Sequence, residues 1–302
     1  MPASLTDNQK SSLLSVSKDV LVTAIGAFNA YDSRTSDSVY SENSPADDFQ
    51  REVERCTGPN GQWNDDFAKR LTELVLVYMA VSRNYLGSIY ALVSEYPTGP
   101  GVAPITRCVA EAGGKIAWLL DNRIGPKTHA RERVARLLLD EADDATRRKT
   151  IAAGLLHPDR ARAGDEYRAA RNKIAKPGYF WGGEIDTSSN KTVVRGQSMP
   201  KTSQFIGIAR DILMPHETTA QHVYGYLSAL AHPTMFAYVE SLAGGANELF
   251  CAKLVNYATH AFHNELRFHS GWTHVKDTPL PECDTIKEQH DKLNALIGEI
   301  DT

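Results

Sequence analysis

Three groups of residues have the types and spacing to do chemistry. In Ile105–Asp121, Arg107 and Glu111 are four apart, so a helix sets them on one side, with Trp118 two turns beyond. A guanidinium beside a carboxylate either ties two helices together or forms a site in which the Glu stays ionised. In Tyr224–Thr234, Ser228 and His232 are also i,i+4 neighbours, and Pro233 places His232 at a helix end. There the helix dipole favours the imidazolium, which suits a general acid or a phosphate contact; the same residue can simply cap the last carbonyls. No serine lies in a G-x-S-x-G elbow, which argues against a serine hydrolase. The third group is His260, His263, Glu265 and His269. Each of its pairs, His260/His263 and Glu265/His269, can present two ligands from one helix face. The two pairs point to different sides, and neither an H-E-x-x-H nor a paired Glu-x-x-His motif is present, so no metal is expected. No nucleotide loop of the G-x-x-x-x-G-K or G-x-G-x-x-G type occurs, and no cofactor is expected.

Charge is uneven. From Arg123 to Lys176 there are 14 Lys and Arg against 8 Asp and Glu, a local +6 inside a chain of net charge −4. A basic middle in an acidic chain can bind an anion such as RNA through Arg131, Arg133, Arg136, Arg147 and Arg148. It also fits a solvated helix laced with i,i+4 pairs such as Glu132–Arg136 and Asp144–Arg148.

The elements that must position these groups are helices. Apolar residues recur at helical spacing over Asp7–Tyr31, with Thr6 or Asp7 as N-cap, and over Trp63–Tyr96, Ile105–Asp121, His129–Ala153 and Asp159–Ile174. The pattern resumes at Thr202–Met214, Glu217–Ala231, Met235–Ala243, Asn247–His269 and Asp284–Ile300. TGPGVAP at Thr98–Pro104 separates two helices. Residues 32–62 read as an irregular connection with a short helix near Phe49–Cys56. Residues 176–200 hold four glycines and the aromatic run Tyr179–Trp181, and read as an inserted loop, with KTVVRG as one strand of a small hairpin. The expected fold is all-α: a single helical domain over 1–302, a bundle with one long irregular insertion, and any sheet confined to Lys176–Pro200.

The chain has 302 residues, enough for a sizeable core without disulfides, and its four cysteines are scattered without a CxxC pair. No transmembrane run is evident, and the N-terminus lacks the basic start and apolar stretch of a signal peptide, so a cytoplasmic protein without a membrane partner is expected. Large apolar residues on more than one side of Trp63–Tyr96 fit either a central helix or a homodimer interface.

The helix ITRCVAEAGGKIAWLLD, followed by RERVARLLLDE and then YGYLSALAHPT, resembles the abortive-infection AbiV-type proteins and the broader HEPN superfamily over roughly Leu71–Ala243. The resemblance implies a helical bundle, assembled from two chains, many members of which are metal-independent ribonucleases with an Arg-x(4–6)-His motif. It implies Arg107, Glu111 and His232 as the polar centre. That spacing occurs at Arg123/His129, Arg210/His216 and Arg267/His274, but no Arg stands so before His232. Three functions therefore stand at this point: an RNA-acting protein in defence or stress response, a non-catalytic module that binds a protein or nucleotide, and a small-molecule enzyme with a pocket lidded by residues 179–181.

Overall fold

Thr6 opens the first helix. Its side chain accepts from the Gln9 amide at 3.3 Å while the Gln9 side chain accepts from the Thr6 amide at 2.9 Å, a reciprocal cap. In the computed structural model, residues 5–35, 39–97, 99–120, 129–154, 160–175, 178–186, 192–213, 227, 247–274 and 280–301 are described. Among them the chain is all-α. Its helices are α1 (Asp7–Thr35), α2 (Pro45–Glu54), α3 (Phe67–Glu95), α4 (Gly99–Leu120), α5 (His129–Gly154), α6 (Arg160–Ala175), α7 (Thr202–Leu213), α8 (Asn247–Thr273) and α9 (Pro281–Asp301). The helices expected at Glu217–Ala231 and Met235–Ala243 lie outside the described residues.

The chain divides into two compact units where the sequence suggests one domain. Unit 1 holds residues 1–44, 72–118 and 202–302; unit 2 holds 45–71 and 119–201.

In unit 1, α1, α8 and α9 pack against one another. α8 is enveloped: Cys251, Leu254, Val255, Ala258, Phe262, Leu266 and Trp272 are buried on several sides of it. α1 buries Leu13, Val20, Leu21, Ala24 and Phe28, and Phe28 meets Phe262 edge-on. By length and composition α1 is also apolar enough to cross a membrane, a property the sequence reading missed because polar residues interrupt its apolar run. Gly114 of α4 lies against α7 so closely that a Cβ there would stand 1.9 Å from the Phe205 carbonyl oxygen. This is the close approach that glycine within a helix permits.

α4 begins at Gly99, six residues before the expected start, with Pro104 inside it. Pro100 falls in the first turn, where its missing N–H costs nothing, and Pro104 removes one backbone hydrogen bond of the second turn.

In unit 2, α5 packs along α6 and against α2. Ser44 and Pro45 start α2, with the proline at the first helical position. The insertion is a three-stranded antiparallel sheet of β3 (Ile185–Asp186), β4 (Val193–Val194) and β5 (Gln197–Ser198). The earlier hairpin of β1 (Thr57–Gly58) and β2 (Gly61–Gln62) is also antiparallel. KTVVRG thus supplies β4 and its turn, where Arg195 and Gly196 both have positive φ (52° and 76°), the pairing a two-residue hairpin loop requires. The β1–β2 hairpin corrects the expectation that any sheet lies within 176–200, and with α2 it gives structure to the stretch read as an irregular connection.

Candidate functional site

Arg107 and Glu111 lie on α4 of unit 1, one turn apart as their spacing requires. The Arg107 Nε donates to Glu111 Oε1 at 2.8 Å, and both side chains keep about a fifth of their surface exposed (20% and 23%). The pair is closed within its own helix. Trp118 does not join it: its ring meets Phe205 of α7 edge-on at 6.0 Å. His232 and Ser228, the other members of the anticipated centre, lie outside the described residues.

The five candidate RNA-binding arginines all sit on α5 of unit 2, but they divide by depth. Arg133 and Arg136 are buried. Arg133 donates to the Leu120 carbonyl at 3.3 Å and covers the Phe49 ring, and the Arg136 Nε donates to Gln197 Oε1 at 2.8 Å. Arg131 donates to the Thr57 carbonyl at 2.7 Å and to Glu184 Oε2 at 2.6 Å, with its guanidinium over the Trp63 and Phe180 rings. These three tie α5 to α2, to the hairpin and to the inserted sheet. The physical reason is that a guanidinium can enter an interior when aromatic faces and carbonyls take up its charge. Arg147 and Arg148 face outward, with side chains 55% and 63% exposed, paired to Asp143 and Asp144.

Glu184 is the hub of the inserted sheet. It receives Arg131, Arg195 and the Trp181 amide at 2.9 Å. Burial alone would raise its pKa; the Trp181 hydrogen bond and the two guanidinium groups outweigh that and hold the carboxyl below its usual range. Beside it is a shallow cavity of about 440 Å³ lined by Gly183, Glu184, Asp186, Val193, Arg195 and Gly196. The anticipated lid, Tyr179–Trp181, is not one. Tyr179 and Phe180 pack edge-on against Trp63 at 5.5 and 5.6 Å, and Trp181 alone is exposed.

Sequence reasoning noticed the THAFHNELRFH segment but not what it builds. The two faces do diverge, as expected. Toward one side, His269 Nδ1 lies 2.7 Å from the Tyr31 hydroxyl, and Glu265 accepts from Ser82 at 3.3 Å. Burial pushes Glu265 well above the carboxylate range and His269 down to about 3. Glu265 Oε2 and His269 Nε2 are buried without hydrogen-bond partners. Toward the other side, His260 and His263 meet His290 of α9, a residue no local spacing could connect to them. Among the described residues no three His, Cys, Asp or Glu side chains are arranged to hold a metal ion.

Beyond Thr146, the end of α5 and the whole of α6 form a basic arm. Arg147, Arg148, Lys149, Arg160, Arg162, Arg168, Arg171 and Lys173 are all exposed. From Arg147 to Ala175 the described acidic residues are Asp165 and Glu166. Set against protein-family models, curated proteins and solved structures, the chain matches none.

Proposed function

We propose that this chain is a HEPN-like, RNA-binding protein that acts in the cytoplasm as a homodimer, with the α5–α6 arm of unit 2 as its RNA surface. The observation that carries the reading is the density of exposed cations on that arm: eight basic side chains against two acidic ones among the described residues from Arg147 to Ala175. Their ion pairs do not block the surface. Arg148–Asp144, Arg162–Glu166 and Arg168–Asp165 are open to solvent. Exposed pairs of this kind are worth at most about 1 kcal/mol. A phosphate backbone can therefore take over an arginine from its carboxylate at little cost. Such contacts read charge and not sequence.

Filter binding with single-stranded RNA at two salt concentrations tests this. Five phosphate contacts give a slope of about −3.5 in log K against log salt. Reversing Arg147 and Arg148 to Glu should flatten the slope and leave the fold intact. No retention at low salt removes the reading. Recovering the RNA from the same titration separates binding from cleavage: fragments lost in a His232→Ala variant would make the protein a ribonuclease. The mass in solution at micromolar concentration tests the homodimer.

A further inference from the structure

His260 and His263 stand one turn apart on α8, and His290 meets them from α9. The ring centroids are 6.3 Å apart for His260–His263, 5.4 Å for His260–His290 and 6.5 Å for His263–His290. His263 and His290 are buried, at 7% and 3% exposure. The seam has a defined hydrogen-bond order. Asn256 Nδ2 donates to Asn294 Oδ1 at 2.8 Å, so Asn256 Oδ1 is the acceptor for His290 Nδ1–H at 2.6 Å. The remaining lone pair of His290 therefore sits on Nε2, which is buried without a hydrogen-bond partner. A neutral ring tolerates this position. A proton on Nε2 would put a buried cation beside two further imidazoles.

We propose that the α8–α9 seam is an acid-triggered release point, in which protonation of His263 and His290 drives α9 away from α8 and uncovers the apolar face it protects. That face includes Ile286 and Leu293, both fully buried. Burial, aided by His260, holds His263 down to about 4, with Arg267 and Lys287 acting in the same direction. Burial and His260 likewise hold His290 down to about 3; the Thr259 backbone and Asp291 pull the other way, and His263 adds to the depression. α1 packs on both helices, and none of its charged residues is among the groups acting on these two rings. α1 packs along α9, and Arg34 of α1 pairs with Glu282 at the start of α9.

The trigger works at mild acidity. Once α9 is released, each imidazole regains an ordinary pKa near 6.5, so opening takes up two protons at any pH between that value and the buried ones. The opening equilibrium then rises about tenfold per histidine per pH unit, or about a hundredfold for the pair. Between pH 6.5, where each released ring is half protonated, and pH 5 the rise is about 250-fold.

Hydrogen exchange on the full chain, corrected for the intrinsic pH dependence of exchange, tests this. On going from pH 6.5 to pH 5, α9 peptides should lose protection by about 250-fold while α5 of unit 2 does not. An α9 that changes no more than α5 overturns the proposal. The double variant His263→Met, His290→Met should abolish the pH dependence of α9; its persistence there also overturns the proposal. Should that variant not fold, an NMR titration of the wild-type ring protons decides. Rings that stay neutral below pH 5 while α9 is closed support the release point; midpoints near 6.5 for both rings overturn it.

Discussion

The two units treat buried polarity in opposite ways. In unit 1 the polar side chains inside the bundle are held neutral. Burial favours the neutral form of each: it pushes Glu265 well above the carboxylate range, holds His263, His269 and His290 down, and pushes Tyr31 up to about 12. In unit 2 the interior holds ions: Glu184 stays charged because two guanidinium groups and an amide converge on it, and Arg133 and Arg136 are buried on carbonyl, amide and aromatic partners. The difference shows what decides the fate of a polar group in a helical core. One hydrogen bond per group, as between Ser82 and Glu265, is too little to keep a charge. Three converging donors are enough.

The largest expected effect follows from the neutral side of this contrast. A histidine whose folded pKa is depressed contributes stability that is complete above about 6.5 and is lost as pH falls toward the folded value. Three such residues in unit 1 cost about 1.4 kcal/mol each per pH unit. Glu265 has the opposite sign. Its folded pKa is raised, so acidification relieves its cost down to about pH 4.5. The three histidines together should lower stability by about 5 kcal/mol between pH 6.5 and pH 5, and Glu265 offsets part of that loss. Glu265→Gln removes the compensating group and should steepen the loss to the full value of about 5 kcal/mol. Denaturant titrations of both proteins across this range measure it; equal slopes would mean that Glu265 is ionised and that the contrast between the units fails.

The ionic side gives the next effect. Glu184→Ala leaves Arg131 and Arg195 facing each other without their carboxylate, in a setting where all three side chains are about a fifth exposed. Removing one partner of a buried pair costs about 3–5 kcal/mol, and the residual exposure argues for about 3. Urea unfolding checks this. A loss below about 1 kcal/mol would show that the hub is held by packing of Trp63, Phe67 and Phe180 and not by charge.

These contrasts were only partly legible in the sequence. Helix periodicity located α5 and α6 to within a residue at each end, because a 3.6-residue apolar repeat is a local property. The β1–β2 hairpin escaped notice because strands of two residues carry no alternation. α3 starts at Phe67 and not Trp63, since Asp66 caps it by accepting from the Lys69 amide at 2.8 Å. For the site, spacing identified the Arg107–Glu111 pair and the divergence of the two α8 faces. What spacing cannot report is the opposing surface. Arg136 and Arg148 look alike on one helix, yet one faces the inserted sheet and the other faces water. Likewise His290 is an ordinary surface-type residue until α9 lies against α8.

That last distinction yields the smallest effect and the sharpest control. Arg148 carries the same guanidinium and makes an equally short bond as Arg131: 2.6 Å to Asp144 against 2.6 Å to Glu184. Bond length alone would rank them together. Exposure separates them, because Arg148 is 63% exposed and Asp144 49%, so water screens the attraction and both side chains lose freedom in forming the pair. Arg148→Ala should therefore change stability by less than about 0.5 kcal/mol in denaturant unfolding at 0.15 M salt. It should nonetheless weaken RNA retention and reduce the salt slope by about 0.7, the contribution of one phosphate contact to a single strand. A stability loss near that of Glu184→Ala would make the arm a structural ion-pair network and remove the separation between a charge that holds unit 2 together and a charge available to a ligand.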